Sequence, residues 1–501
     1  MQSLAGFLRP SLHTRPFNRV KAVLSGLQDF EKLGIPEGAG KDGPQGFDLA
    51  RMHSLLKAMG DPHQSWPAVH IAGSKGKGST VAFLSSILRQ SFSKVGAYSS
   101  PHLHSIEERI AINGKPISRQ AFDQLAMDNR KLLEQTQKDC NGALTHFEAL
   151  TALAFKHFQQ QGVEMGVIET GLGGARDATN VFGDQLQLAI ITAVGTEHSA
   201  ALGGSLESIA EAKAGIMKRH KPVVLAHQPE AEARKVLERK ANELHCPVYN
   251  AESTIKLHLK GLQTSNDQLR QNVFVERLGV PPDGPLCGEP SSQQSGVSIS
   301  LAGEHQLQNA ATAVTAVLAL RDSGILPSMT TEMVLKGLQE ASLPGRFQVG
   351  RLEAGNSQHA HWLVCDGAHT PASSKALADT LRQVFPDTPL AFIVGMATDK
   401  DHLGFCQALR EAHPSVAIFC SPQIAGASDR SAAPGMVVAQ WQAAGMTNTN
   451  LPRCRELIQA SMGPALQKAK MELDAHNKPG VVCVTGSLHA AAEALRLTGL
   501  A

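Results

Sequence analysis

A glycine-rich segment with two lysines carries the clearest chemical signal in this sequence. It spans Val69–Ser79 and reads VHIAGSKGKGS, so an apolar run leads into glycines and then into a helical pattern. Glycines let main-chain N–H groups curl around phosphate oxygens, and a helix amino terminus favours an anion. Lys77 would neutralise the β and γ phosphates of a nucleotide. The segment predicts a phosphate-binding loop; the alternative is a glycine-rich turn with a solvated lysine.

The match to the general phosphate-loop pattern is imperfect, and the departure has a chemical consequence. Ile71 stands where the first glycine of that pattern is expected, and Gly78 stands where a Ser or Thr normally binds Mg²⁺. The metal-binding hydroxyl must therefore come from Ser79 or from a residue that is distant in the sequence.

Polar or charged residues also follow three other apolar runs. The three segments are Tyr98–Leu103 (YSSPHL), Glu169–Asn180 (ETGLGGARDATN) and Gly195–His198 (GTEH). Open α/β sheets place ligands at the carboxyl ends of their strands. A carboxylate such as Glu169 at that position is a natural ligand for a hard cation. A further lysine, Lys213, follows in the helical run Leu206–Ile216.

Each of these residues has a simpler interpretation when it is taken alone. A Glu at a strand end commonly caps a helix, a His in a loop is commonly polar surface, and Lys213 could be an exposed helix lysine. Convergence favours a site, because Lys77, Ser100, Glu169 and His198 can all reach one edge of a sheet.

The elements that must position these residues alternate between strand and helix patterns, which predicts an α/β fold with a mainly parallel sheet. Val81, Leu84 and Leu88 recur at helical spacing within a predicted helix over Ser79–Phe92. The predicted buried strands are Ala68–Ala72, Met165–Ile168, Leu188–Val194, Val223–Leu225, His361–Cys365, Leu390–Val394, Val416–Phe419 and Val481–Val484.

Two segments without periodicity suggest the domain organisation. Pro281–Gly296 is rich in Pro, Gly, Ser and Gln and is interpreted as a solvated surface loop. Ser342–Arg346 (SLPGR) falls between two α/β blocks and is interpreted as an interdomain linker, although any αβ loop could look the same. We therefore predict a first domain over residues 25–345 and a second over residues 346–501.

The overall composition excludes several classes of protein. The chain has 501 residues, is 42% hydrophobic and 18% charged, and has a formal net charge of +2. This balance argues against a general nucleic-acid binder, and no apolar run is long enough for a membrane span. The eight cysteines form no CxxC pair, which argues against a zinc site and a disulfide scaffold.

The amino-terminal stretch Met1–Gln28 differs from the rest of the chain in its charge. It contains Arg9, Arg15, Arg19 and Lys21 but no Asp or Glu. Such a start is typical of a transit peptide, with residues 1–24 as the candidate and a mitochondrion or plastid as the destination. The alternative is an ordinary exposed terminus of a cytoplasmic protein.

Nine motifs in order resemble the folylpolyglutamate synthase and dihydrofolate synthase family of the Mur ligase superfamily. They are HIAGSKGKGST, YSSPHLHSIEERI, THFEALTALAF, ETGLGGARDATN, TEHSAALGGSLESIAEAKAGI, GEHQLQNAATA, LPGRF, DGAHT and VTGSLHAA. The resemblance covers about Ser25 to Leu497. Phe30–Met52 and GLGGARDATN are most similar to plant-type dihydrofolate synthases.

The resemblance implies a Mur-ligase-like ATPase domain with a phosphate loop, followed by a smaller Rossmann-like α/β domain that binds glutamate. It also implies an ATP-dependent amide ligase. The γ-phosphoryl group of ATP passes to a pteroate or folate carboxylate, and L-glutamate then displaces phosphate. This is chemically reasonable because a carboxylate is a poor electrophile. Two Mg²⁺ ions and a lysine would neutralise the charge that gathers there.

The resemblance further implies roles for individual residues. Ser100 and Glu169 match ligands of the first Mg²⁺, and His198 matches a ligand of the second. Lys213 matches a lysine that is carbamylated in the family; with Lys77 and His198 it forms the implied catalytic set. The implied ATP contacts are Ser74, Lys75, Gly76, Lys77, Gly78, Asn309, Arg346 and Asp366.

The implied contacts to the pterin substrate lie in two of the motifs. They are Thr145, His146, Phe147, Glu148, Arg176, Asp177 and Ala178. His369 lies near the expected glutamate site. The sequence departs from the common family pattern at Lys75, Glu197, Thr370 and Ala175–Arg176. The last departure shifts a guanidinium by one residue near the expected pterin site.

Four functions are compatible with these observations. The first is dihydrofolate synthase, acting on dihydropteroate, and the second is folylpolyglutamate synthase, which extends the glutamate tail of folates. The chemistry is the same, so one chain could perform both reactions. A cell-wall Mur ligase would carry a UDP-binding domain, for which the 72 residues before Gly73 leave little room. A non-catalytic nucleotide-binding module would be expected to lose Lys77, Glu169, His198 or Lys213. We expect small-molecule partners, neither nucleic acid nor membrane, and a monomer.

Overall fold

The structure of this chain is a computed structural model. It describes residues 19–40, 47–197, 199–265, 268–277, 296–353, 359–422, 430–446 and 453–501. His198, residues 281–295 of the predicted surface loop and the first 18 residues of the basic amino-terminal stretch lie outside the described residues.

The secondary structure alternates between strands and helices over most of the described chain. The helices are α1 (Arg19–Leu24), α2 (Phe30–Leu33), α3 (Leu49–Ala58), α4 (Lys77–Leu88), α5 (Arg119–Asp139), α6 (His146–Gln161), α7 (Ser199–Leu202), α8 (Leu206–Ala214), α9 (Ala231–Glu243), α10 (Ala251–Thr254), α11 (Glu304–Asp322), α12 (Thr331–Glu340), α13 (Pro371–Val384), α14 (His402–Arg410), α15 (Pro434–Met446), α16 (Met462–Asp474) and α17 (Leu488–Thr498). The strands are β1 (Ala68–Ala72), β2 (Val95–Tyr98), β3 (Ile110–Ile112), β4 (Lys115–Pro116), β5 (Met165–Glu169), β6 (Leu186–Ile191), β7 (Val223–Leu225), β8 (Val248–Asn250), β9 (Ile255–Ser265), β10 (Gln268–Arg277), β11 (Gly296–Ile299), β12 (Gln348–Leu352), β13 (His361–Cys365), β14 (Leu390–Val394), β15 (Val416–Phe419), β16 (Arg455–Ile458) and β17 (Val481–Thr485).

The largest sheet has eight strands in the order β4-β3-β2-β5-β1-β6-β7-β8. The strands from β2 to β8 in this order run parallel, whereas β3 and β4 are antiparallel. Ile71 of β1 is in register with Glu169 of β5, and Tyr98 of β2 is in register with Ile168. The segments that follow β1, β2 and β5 therefore leave the sheet at one edge.

Helices cover both faces of this sheet, which explains why its central strands are apolar throughout. Val69 and Ile71 of β1 pack in one core with α4 and α11, while Ala68 and Ala72 pack in the other with α6 and Trp66. Every residue of β1 and β5 is buried. The site at the carboxyl edge is thus held by a rigid, doubly covered sheet.

Two further sheets complete the described structure. Strands β9, β10 and β11 form an antiparallel sheet. The six-stranded sheet has the order β12-β13-β17-β14-β15-β16, with β12 antiparallel to β13 and the remaining pairs parallel. Ser342–Arg346 lies between α12 and β12, so it connects the part of the chain with the first two sheets to the part with the third.

The sequence predictions of strands agree closely with the structure except at β6. We predicted a strand over Leu188–Val194, but β6 covers Leu186–Ile191. The chain leaves the sheet after Ile191 because the carbonyl oxygen of Ala193 accepts hydrogen bonds from the main-chain N–H groups of Ser74 and Lys75. The predicted helix over Ser79–Phe92 begins earlier, at Lys77, and ends at Leu88.

The prediction of a mainly parallel architecture overlooked the antiparallel sheet β9–β11. No helix in the described parts of the chain is both long and apolar enough to cross a bilayer.

Candidate active site

The phosphate loop connects β1 to α4, and two of its glycines are required by close contacts. Gly73 has φ +150° and Gly76 has φ +86°. A Cβ atom at Gly73 would collide with the Thr192 side chain, and one at Gly76 would collide with the amide of Asn309. Asn309, predicted as a nucleotide contact, therefore lies directly over the loop.

The loop is also fastened to the segment that follows β6. The Ser74 hydroxyl lies 3.0 Å from both the main-chain oxygen and the main-chain nitrogen of Gly195. Gln228 fixes the same segment through two hydrogen bonds. Its side chain accepts one from Val194 N–H and donates one to the main-chain oxygen of Thr192. The sequence analysis missed Gln228, since no motif marks it.

Lys77, Glu169 and Ser100 come together at the sheet edge, as the sequence predicted. Lys77 Nζ donates to the Gly73 carbonyl oxygen at 3.1 Å and lies 3.8 Å from Glu169 Oε1. Glu169 Oε2 accepts a hydrogen bond from Ser100 N–H at 3.3 Å. Burial raises the pKa of Glu169, and the nearby ammonium of Lys77 only partly offsets this.

The surroundings of Glu169 suit a magnesium ion. Glu169 is 4% exposed. It accepts a hydrogen bond from the N–H group of Ser100, and the same residue also carries a hydroxyl group. A buried carboxylate with a raised pKa is stabilised by a cation, and carboxylate and hydroxyl oxygens are hard ligands. Gly78 has no side chain that could occupy the space beside Glu169 or bind an ion there. Ser100 and Glu169 therefore fit a first Mg²⁺. Among the described residues there is no cluster of three or more His, Cys, Asp or Glu side chains arranged to hold a metal.

Lys213 lies beside Lys77, and the Nζ atoms of both lysines donate to one carbonyl oxygen. Lys213 Nζ donates to Gly73 O at 3.0 Å, and the residue is 3% exposed. Burial, together with the charge of Lys77, lowers the pKa of Lys213 to about 7. Above that pH the amine is mostly neutral, which is the form that can react with carbon dioxide.

Two departures from the family pattern are paired in the structure. Lys75 Nζ lies 2.9 Å from Glu197 Oε1, so the additional cation in the phosphate loop has its own carboxylate. Burial lowers the pKa of Lys75, while Glu197 raises it and the charges of Lys77 and Arg346 lower it further. The departures thus form one ion pair that links the loop to the residue preceding His198.

The residues predicted in the second part of the chain face the phosphate loop. Asp366 accepts hydrogen bonds from Phe347 N–H and Ala368 N–H, both at 2.8 Å, and Arg346 lies against Gly367. Burial, followed by the charge of Lys75, lowers the pKa of His369 to about 4. Arg346, Asp366 and His369 are therefore assembled close to the loop that Lys75 and Lys77 occupy.

Of the residues predicted to contact pterin, Thr145 and Glu148 also form the start of α6. Thr145 Oγ1 accepts from Glu148 N–H at 3.1 Å, and Glu148 Oε2 accepts from Thr145 N–H at 2.8 Å. Arg51 Nε donates to Glu148 Oε1 at 3.1 Å. Between them, Phe147 packs against Gly171 and the ring of Tyr98.

Asp177 organises the loop after β5 from within. Asp177 accepts hydrogen bonds from Leu172 N–H at 2.7 Å and from the N–H and hydroxyl of Thr179. It is 3% exposed, and the adjacent Ala178 is also buried. Arg176 donates to the Phe47 carbonyl oxygen at 2.6 Å. Pterin contacts by this loop and by residues 145–148 remain predictions.

Comparison with known proteins identifies the family. The Mur ligase middle domain matches residues 71–317, and the glutamate ligase domain of Mur ligases matches residues 345–488. A dihydrofolate synthase/folylpolyglutamate synthase of Bacillus subtilis is 32% identical over 72% of this chain and 78% of the relative. The chain belongs to the folylpolyglutamate synthase and dihydrofolate synthase family.

Other members of the family extend this result. A Mycobacterium tuberculosis folylpolyglutamate synthase, solved with ADP and AMPPCP, is 27% identical with a TM-score of 0.74 and covers 90% of this chain and 95% of its own. A probable bifunctional folylpolyglutamate synthase/dihydropteroate synthase of Haloferax volcanii is 30% identical over 89% of this chain, which spans only 49% of that relative. The protein is an ATP-dependent ligase that adds glutamate in folate metabolism, and its α/β fold is that of the synthases.

Replacing the loop lysine in this synthase tests the assignment of the phosphate site. Lys77→Ala should lower the rate of ADP formation by roughly 10²–10³-fold, because one preorganised donor to developing charge contributes on that scale. The circular dichroism spectrum should not change, since Lys77 contributes charge rather than packing.

Lys115→Ala is the matched control, because it removes an exposed lysine on β4. Strands β3, β2 and β5 separate β4 from β1 in the sheet. Turnover of Lys77→Ala close to that of Lys115→Ala would refute the phosphate-loop assignment.

Proposed function

We propose that this protein is a dihydrofolate synthase that joins L-glutamate to dihydropteroate at the expense of ATP. The observation that carries the proposal is the convergence of Lys77 and Lys213 on the Gly73 oxygen, beside the buried carboxylate of Glu169. Arg346 adds positive charge to the same region, whereas Lys75 is paired with Glu197. Basic groups gathered at the phosphate loop suit a polyphosphate and the acyl phosphate derived from it.

The reaction has two steps with balanced chemistry. A carboxylate oxygen of dihydropteroate attacks the γ-phosphorus of ATP, and the bond from this phosphorus to ADP breaks. The amino group of glutamate then attacks the acyl carbon, an N–H proton is released, and phosphate leaves with the bonding electron pair. Phosphorylation converts a poor electrophile into one with a good leaving group.

The residues of this chain have distinct parts in that sequence. Ser74–Gly78 would cradle the phosphates with Lys77 on the β and γ groups, while Asn309, Arg346 and Asp366 would hold the nucleotide from the other side. Ser100 and Glu169 would hold the first Mg²⁺, and His198 would contribute to the second. These ions supply charge neutralisation at the transferred phosphoryl group. We propose that His369 lies near the incoming glutamate.

The choice of dihydropteroate over reduced folates is supported by the resemblance of Phe30–Met52 and GLGGARDATN to plant-type dihydrofolate synthases. The competing function is folylpolyglutamate synthase, because the names of the relatives carry both activities. We also propose a monomer and an organelle address in the residues before α1, with the cytoplasm as the alternative. The address is placed before α1, and not over residues 1–24 as predicted, because Val20 and Leu24 are buried in the core.

Offering the two substrates separately to the purified protein decides between these functions. We expect ADP formation that depends on both dihydropteroate and glutamate, and a lower kcat/KM when tetrahydrofolate replaces dihydropteroate. Turnover of tetrahydrofolate without turnover of dihydropteroate would reject dihydrofolate synthase in favour of folylpolyglutamate synthase. ATP hydrolysis that ignores both substrates would favour a nucleotide-binding module.

The proposed carbamate on Lys213 makes a separate prediction. Lys213→Ala should lose most activity, and formate or acetate should restore part of it, because a small carboxylate could occupy the position of the lost carbamate. Lys77→Ala, measured in the same acids, is the control and should not recover. A fully active Lys213→Ala protein that is indifferent to added acid would contradict the carbamate.

A further inference from the structure

Arg109, the residue immediately before β3, is a buried cation outside the phosphate loop. Its side chain is only 1% exposed. Its Nη1 and Nη2 atoms donate to the two carboxylate oxygens of Glu31 at 2.7 and 2.5 Å, and its Nε donates to His102 Nδ1 at 2.9 Å. A buried guanidinium needs such a bidentate partner, since an unpaired charge in this position is strongly destabilising.

Arg109 holds the segment around Ser100 at two points. The main-chain oxygen of Arg109 accepts a hydrogen bond from Ser99 N–H at 3.2 Å, while its side chain donates to His102. These two contacts lie on either side of Ser100 and Pro101. Because Ser100 N–H in turn donates to Glu169, the position of Ser100 at the sheet edge depends on Arg109.

The contact of His102 with Arg109 defines its hydrogen-bonding role. An arginine Nε–H can only donate, so His102 Nδ1 is the acceptor and the ring proton is assigned to Nε2. His102 thereby ties the segment to Arg109 through one directed hydrogen bond.

Glu31 comes from α2, before the region that matches the Mur ligase middle domain. Its side chain is 45% exposed, so it can be changed without opening the core. Its main-chain oxygen accepts a hydrogen bond from Arg430, and Leu103 packs against Gly345 of the interdomain segment. The same network therefore touches the second part of the chain at two places.

We propose that Glu31 is a positioning residue of the ligase site: it neutralises and orients Arg109, which fixes Ser99–His102 so that Ser100 stays against Glu169. The proposal rests on the proposed function insofar as Ser100 is taken as a magnesium ligand. It assigns a role in catalysis to α2, which contributes no group to the phosphate loop.

The test compares Glu31→Gln with Glu37→Gln, an exposed carboxylate in the same amino-terminal segment. In the ligand-free protein, we expect Glu31→Gln to increase deuterium uptake severalfold in a peptide spanning residues 99–105. In the ligase assay, the Mg²⁺ concentration for half-maximal rate should rise about tenfold, because one bond of the bidentate pair is weakened and the charge is lost. Glu37→Gln should behave as the unchanged protein, and Glu31→Asp should recover part of both effects.

Two results would overturn the proposal. The first is unchanged uptake over residues 99–105 together with an unchanged Mg²⁺ requirement in Glu31→Gln. The second is uptake that rises equally in a peptide covering β14, because this would indicate a general loss of stability. If the unchanged protein fails to use dihydropteroate, the proposed function fails, whereas the exchange measurement still decides the role of Glu31.

Discussion

The crowding of basic side chains at the carboxyl edge of the large sheet is the constraint on which the site depends. Two lysines from different helices, Lys77 and Lys213, donate to the single carbonyl oxygen of Gly73. Glu169 lies 3.8 Å from Lys77 Nζ, and it is itself buried with a raised pKa. This arrangement is costly without an anion and a metal, so binding energy is available where the phosphoryl group must be stabilised.

The fold produces this arrangement through strand register and a few main-chain hydrogen bonds. The register of β1 with β5 brings Gly73 and Glu169 to the same edge, and the early end of β6 lets Ala193 close the phosphate loop. Arg346, from the second part of the chain, then adds its charge to the same region, and His369 lies near Lys75. The Lys75–Glu197 ion pair compensates the charge of the additional lysine in the phosphate loop.

Much of this could be predicted from the sequence because local patterns report burial and loop chemistry. Continuous apolar runs located β1, β7, β13, β14 and β15 at their observed bounds. The antiparallel pair β9–β10 also has a local signal, because Ile255, Leu257 and Leu259 alternate with polar residues along β9. The predicted strands did not include it. Lys77, Ser100 and Glu169 could be grouped because parallel strands end at one edge.

Other features could not be predicted, because they depend on tertiary contacts between residues without a local signature. Nothing around Glu31 in the sequence shows that it meets Arg109, which lies 78 residues further along the chain. Likewise, Gln228 and Thr192 acquire their importance only when the chain folds over the phosphate loop. The shared acceptor at Gly73 is a main-chain atom, which no side-chain pattern reveals.

A crystal structure with a non-hydrolysable ATP analogue and Mg²⁺ tests the central claim most directly. The account predicts that the ammonium of Lys77 contacts the β and γ phosphates, and that Ser100 and Glu169 share one metal ion beside them. Phosphates bound away from residues 73–78, or a metal ion held without Glu169, would contradict it.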